Sequence, residues 1–157
     1  MRRKDRELRD PEQILALLQE AKICRVALND GGVPYIVPMH YGFELTEGRL
    51  RLYLHSAREG HKLDLLRQDP RVGIELDRPG EITSGGEVPC RYGALFRSLI
   101  GRGTLRVVTD PDEQRLGLRL LMEEQTGRRF DIDESMAASV CVLCAEVETY
   151  SVKGRLN

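Results

Sequence analysis

The strongest constraint on the fold is the shortness of the links between extended runs. "ICRVALND" (23–30) alternates as a strand does, and "NDGG" (29–32) then makes a tight turn into "VPYIVPMHYGFEL" (33–45). "TEGR" (46–49) turns the chain again into "LRLYLH" (50–55). A parallel pair needs a crossover of about a dozen residues, and these turns are too short for one, so the runs pair antiparallel. Further extended runs follow in "RVGIEL" (71–76), "ALFRSLIGRGTLRVV" (94–108) and "SVCVLCAEVETYSVKGRLN" (139–157). The expected fold is mainly β: about six or seven antiparallel strands in a small barrel or sandwich with flanking helices.

Helices are expected at three places. "RDPEQILALLQEA" (9–21) opens with Asp10 as cap and Pro11 in the first turn. "HKLDLLRQD" (61–69) is short. "DPDEQRLGLRLLMEEQTG" (110–127) has Asp110 as cap, Pro111 at its start and Gly127 at its end. Pro34 and Pro38 argue against an unbroken central strand, because proline donates no ladder hydrogen bond; an edge, a bend or a ligand-facing stretch fits better. Residues 78–92, "RPGEITSGGEVPCRY", read as a long loop or hairpin, and Gly101 and Gly103 mark a bulge or bend.

With 157 residues the chain is expected to form one domain, 1–157, with a sizeable core. A formal net charge of -1 gives no general attraction to nucleic acid or to acidic membranes. Aromatics make up 5% of the chain and no RNA-binding aromatic motif occurs, so no nucleic-acid partner is expected. "MRRKDRELRD" leads into no apolar run and no stretch approaches a membrane span, so the expected location is cytoplasmic, with no membrane partner. The cysteines Cys24, Cys90, Cys141 and Cys144 are expected as free thiols.

One stretch concentrates chemistry. "LYLHSAREGHKLDLL" (52–66) places Ser56, Arg58, His61 and Lys62 in a crossing between a strand and a helix. A hydroxyl, two cations and a helix N-terminus aimed at one spot would bind phosphate. A solvated turn with ordinary surface charges is the competing reading. The spacing is not a Walker A loop, since Ser56 stands at its first glycine position and Leu63 follows the lysine. "CVLC" (141–144) has CxxC spacing, but on a strand Cys141 and Cys144 point to opposite faces, which suits neither zinc nor a redox pair. The three histidines form no HExxH, so no metal is expected, and "FDIDES" (130–135) reads as a solvated turn. Neither a GxSxG elbow nor a GxGxxG is present.

"MRRKDRE", "CRVAL", "PYIVPMHYGFE", "LRLYLHSAREGHKLDLLRQDPRVGIELD" and "YGALFRSLIGRGTLRVV" follow one another along the chain. In that order they resemble the 5-nitroimidazole resistance (Nim) branch of the pyridoxamine 5'-phosphate oxidase-like, FMN-binding split-barrel proteins. The resemblance covers nearly the whole chain, most strongly residues 1–108. It implies a six-stranded split β-barrel and a homodimer with FMN sites at its interface. "HSAREGHK" then looks like the FMN phosphate turn. Arg25 should reach the phosphate or its neighbourhood, and Val37, Pro38, Met39 and His40 should lie along the isoalloxazine ring, largely by backbone contacts. His55 and Ser56 match the pair after the third strand, His61 and Lys62 match the basic pair that grips phosphate, and Ser98 matches a position touching flavin near the interface. The oxidase proper has Arg-Lys where this chain has His61-Lys62, so His61 binds phosphate in its protonated form.

The implied activity is flavin-dependent reduction of small electron-poor molecules, nitroimidazoles among them. The electrons come from NAD(P)H or another donor, and His55 is the candidate catalytic proton donor. Vitamin B6 oxidation is not expected, because the chain lacks the tryptophan that accompanies the oxidase's pyridoxal-binding segment. A non-catalytic flavin- or haem-binding module, acting as sensor or carrier, is the alternative.

Overall fold

In a computed structural model of the chain, described over residues 3–156, six strands close into one barrel in the order β1-β2-β3-β6-β5-β4. Met1 and Arg2 of the basic opening and Asn157 of the last expected extended run lie outside the described residues. The strands are β1 (Ile23–Asp30), β2 (Val33–Thr46), β3 (Arg49–Ser56), β4 (Arg71–Thr83), β5 (Gly93–Val107) and β6 (Cys141–Arg155). Every pairing is antiparallel. The helices are α1 (Pro11–Glu20), α2 (His61–Gln68), α3 (Pro111–Thr126) and α4 (Glu134–Ala138).

The caps form as their residues dictate. Asp10 accepts the Glu12 N–H, Asp110 accepts the Asp112 N–H, and Gly127 ends α3 in the left-handed region at φ 69°. The 78–92 stretch is a hairpin, formed by the extension of β4 and β5, and the expected irregularity falls between Arg102 and Gly103 opposite β6. Alternate residues fill the barrel: Val26, Leu52, Leu54, Ile74, Leu76, Leu99 and Leu143 all face one core. Leu17 and Leu18 of α1 and Leu63, Leu65 and Leu66 of α2 join it. The buried Tyr41 hydroxyl donates to the Leu18 carbonyl at 2.6 Å and so fixes α1 to β2.

A second, smaller cluster lies outside the barrel under α3, where Tyr53, Val108, Val142 and Cys144 meet Leu118 and Leu120. Gly42, opposite Tyr53 on β2, lets α3 approach closely. A Cβ there would lie 2.2 Å from the Leu121 nitrogen. Cys141 packs on the inner core and Cys144 on the outer cluster, so the CxxC thiols do point to opposite faces. All four cysteines are free.

Two details depart from the sequence reading. "FDIDES" is more than a turn, since Asp133 accepts the Met136 N–H and caps the short α4. β2 is not an edge strand of the sheet, yet the logic of its prolines survives. Residues Val33–His40 pair only with β1, and Tyr41–Thr46 pair only with β3. Pro34 and Pro38 both lie in the first half, where one side of the strand is open.

Candidate functional site

The change of partner between His40 and Tyr41 splits the barrel; His40, His55, Ser56, His61 and Lys62 lie along that split, while Arg25 and Ser98 stand on the outer face of β1 and β5. Tyr41 opposite Leu54 is the last β2–β3 pair, so His40 and His55 stand one residue beyond it, both exposed. From there β3 runs on to Ser56 and the chain crosses to α2, whose first residue touches the far end of the β1–β2 hairpin. His61 Nε2 donates to Asp30 Oδ2 at 2.8 Å, and its ring meets Tyr35 edge-on with centroids 4.9 Å apart. The crossing therefore spans the open half of β2, about 20 Å of strand.

The open edge offers backbone groups. A proline has no N–H to exchange, so Pro34 and Pro38 suit pairs whose backbone groups point away from β1. Ile36 and His40 share that phase and present their N–H groups to the split. Side chains divide accordingly. Met39 is buried and Val37 packs on the core, so only their backbones could face a ligand, whereas Pro38 and His40 are exposed.

On the outer barrel face, cross-strand register aligns further candidates. Arg25 stands between Pro38 and Glu75, and a neighbouring row runs from His40 through Ile23 and from Asp77 to Ser98 and Lys153. Ile36 and Ile100, each 58% exposed, give this face an apolar character. Arg25 is not free. Its Nη1 donates to Glu75 at 2.6 Å and to Asp77 at 2.5 Å, and these carboxylates, Glu75 first, raise its pKa and keep it charged. His40 Nδ1 donates to the Lys22 carbonyl at 3.1 Å, which leaves Nε2 as the ring's free nitrogen.

At the other end of the split, Gly60 precedes α2 with φ 130°, a backbone that favours glycine. Its carbonyl accepts the Leu63 and Asp64 N–H groups. Among the described residues no hydrogen bond engages the N–H groups of His61 and Lys62, and neither Arg58 nor Lys62 pairs with a carboxylate. Ser56, nearly buried, donates its hydroxyl to the Ala57 carbonyl at 2.7 Å.

Tested against FMN, this donor set fits. Free helix N–H groups and a cation suit a phosphate, and an exposed apolar strip beside an open strand edge suits a flat ring. Asp30 beside His61 and the exposed Glu59 of the crossing carry the wrong sign for a phosphate, and Glu75 and Asp77 offset Arg25 on the outer face. Sequence reasoning missed the carboxylates on Arg25 and His61, because their partners lie 50, 52 and 31 residues away. No helix among the described residues is long and apolar enough to cross a membrane, and those residues hold no cluster suited to a metal ion.

The family model described as pyridoxamine 5'-phosphate oxidase matches residues 10–154. No curated protein matches the chain. A candidate 5-nitroimidazole antibiotic resistance protein of Bacteroides thetaiotaomicron is 28% identical, with TM-score 0.79, over 94% of this chain and 86% of that one. The flavocytochrome Anf3 of Azotobacter vinelandii is 18% identical, with TM-score 0.77, over 100% and 72%. An FAD- and haem-binding protein of Mycobacterium smegmatis is 19% identical, with TM-score 0.77, over 97% and 74%. The last two likenesses are of fold. The chain belongs to the pyridoxamine 5'-phosphate oxidase family, as a mainly β split barrel similar to the 5-nitroimidazole resistance branch.

Proposed function

We propose that this chain binds FMN as a homodimer and uses it to reduce small electron-poor molecules such as nitroimidazoles, with NAD(P)H as donor. The observation that carries the reading is the split itself: an open β2 edge at residues 33–40 beside a crossing that ends in an unengaged helix N-terminus. The flavin- and haem-binding neighbours of the same fold support it.

A bound flavin supplies hydride acceptance and donation. The protein's own part is to bind, orient and exclude water. Lys62 and the first N–H groups of α2 hold the phosphate, with His61 beside them and Ser56 at the end of β3. Pro38 and the backbone of Val37, Met39 and His40 carry the ring, and the face bearing Arg25 and Ser98 adjoins the second subunit. His55, exposed beyond the last β2–β3 pair, holds a proton for the reduced substrate. A haem-binding module is the second reading, favoured by the free Nε2 of the exposed His40 as an iron ligand.

Anaerobic incubation of flavin-loaded protein with NAD(P)H and a 5-nitroimidazole tests the activity. Loss of nitro absorbance that depends on both protein and donor supports it. Absence of turnover with nitro and quinone acceptors alike returns the protein to a flavin carrier.

A further inference from the structure

We propose that a pocket between the β3–α2 crossing and the start of β6 binds a small organic anion with an apolar body. The pocket holds about 360 Å³, with Val107, Val140 and Val142 as apolar walls, Ala138 of α4 at its side, and Arg58 and Gln114 as polar lining. Ligand pockets start near this size, about 300 Å³, and are mostly apolar with a few placed polar groups.

Besides the free thiol of Cys141, its polar side chains are Gln114 and Arg58. Gln114 Nε2 donates to the Val108 carbonyl at 2.8 Å. Asp110 at the adjoining helix start caps α3 through the Asp112 N–H. Arg58 remains the one charged side chain of the lining, and among the described residues no carboxylate pairs with it. By contrast, Arg25 pairs with Glu75 and Arg106 with Glu146 on neighbouring strands.

This assigns Arg58 away from the split. His61 faces the β1–β2 hairpin, while Arg58 lines a pocket of β5, β6 and α4 residues. Val107, 45% exposed, gives that pocket an accessible aliphatic wall. A slot of valines ending in a guanidinium matches a carboxylate on a benzoate-sized body: the ring covers the valines and the carboxylate takes the Arg58 fork. Phosphate alone would leave the apolar walls in water. Val142 is the cross-strand partner of His55, so the pocket adjoins that residue.

Fluorine NMR of the purified full chain, with any flavin it carries, tests the proposal using 4-fluorobenzoate and its neutral counterpart 4-fluorobenzyl alcohol. The acid is expected to bind at least about tenfold more tightly than the alcohol, because the Arg58 contact is charge-assisted. Arg58→Gln should abolish that difference, and Ala138→Phe, on the exposed side of the pocket, should displace both probes. Equal affinities, no binding of the acid, or acid binding unchanged in Arg58→Gln would overturn the proposal. Displacement of the acid by inorganic phosphate at equal concentration would also overturn it and return Arg58 to a phosphate site. The flavin reading does not depend on any of these outcomes.

Discussion

His61 and Asp30 tie the first turn of α2 to the end of β1 through a 2.8 Å hydrogen bond from Nε2 to Oδ2. Both side chains are about half exposed, and the bond holds the helix N-terminus at the mouth of the split. The carboxylate it brings there opposes an incoming phosphate. Asp30→Asn keeps an acceptor for His61 and removes that charge. FMN should bind more tightly in this variant by about 1 kcal/mol, read from quenching of flavin fluorescence. Weaker binding would show that Asp30 serves chiefly to orient His61.

Lys62 carries the opposite expectation. It lies beside the unengaged N–H groups of α2 and has no carboxylate partner among the described residues. Lys62→Ala should weaken FMN by about 1–3 kcal/mol, since it removes a charge-assisted phosphate contact. Unaltered flavin affinity would make the phosphate assignment wrong.

His55 separates binding from turnover. It is exposed at the end of β3, away from the helix N-terminus that would hold the phosphate. His55→Ala should retain FMN and lose most nitroreductase turnover, roughly 100-fold for a lost general acid. Steady-state rates on flavin-saturated protein decide it, and full activity ends the catalytic role.

Glu113 should make the anchoring of α3 pH-dependent. Arg106 donates two hydrogen bonds to its carboxylate, at 2.6 and 3.0 Å, and holds its pKa below the ordinary 4.5. A carboxylate depressed in the folded state contributes stability above its ordinary pKa and loses it as pH falls through the folded value. Glu113→Gln should therefore cost about 1 kcal/mol at pH 7, a modest value because Arg106 is partly exposed. The difference from wild type should shrink below pH 4.5 in urea unfolding. A constant difference across that range would remove Glu113 as the source.

The strands, their antiparallel sense and the caps of α1 and α3 were legible because each is signalled within a few residues. Asn29 to Gly32 makes the first turn, and Asp10 and Asp110 cap the helices they precede. The prolines of β2 pointed to an edge, a bend or a ligand-facing stretch, and the open half of the strand is the form this takes. They did not reveal that its partner changes between His40 and Tyr41, because that exchange is set by where β1 and β3 lie in the closed barrel. α4 escaped notice because a helix of five residues has too little periodicity to announce itself; its Asp133 cap was the available signal. The candidate site residues rest on the resemblance, which says nothing of their charge partners. Glu75, Asp77 and Asp30 reach Arg25 and His61 only through the fold.

The most direct test of the central claim is an absorbance spectrum of the protein purified without added cofactor, followed by mass analysis of what heat releases. The account predicts a yellow protein that releases FMN. A colourless protein that also fails to take up added FMN would contradict it, and a Soret band in place of the flavin bands would favour haem at the same split.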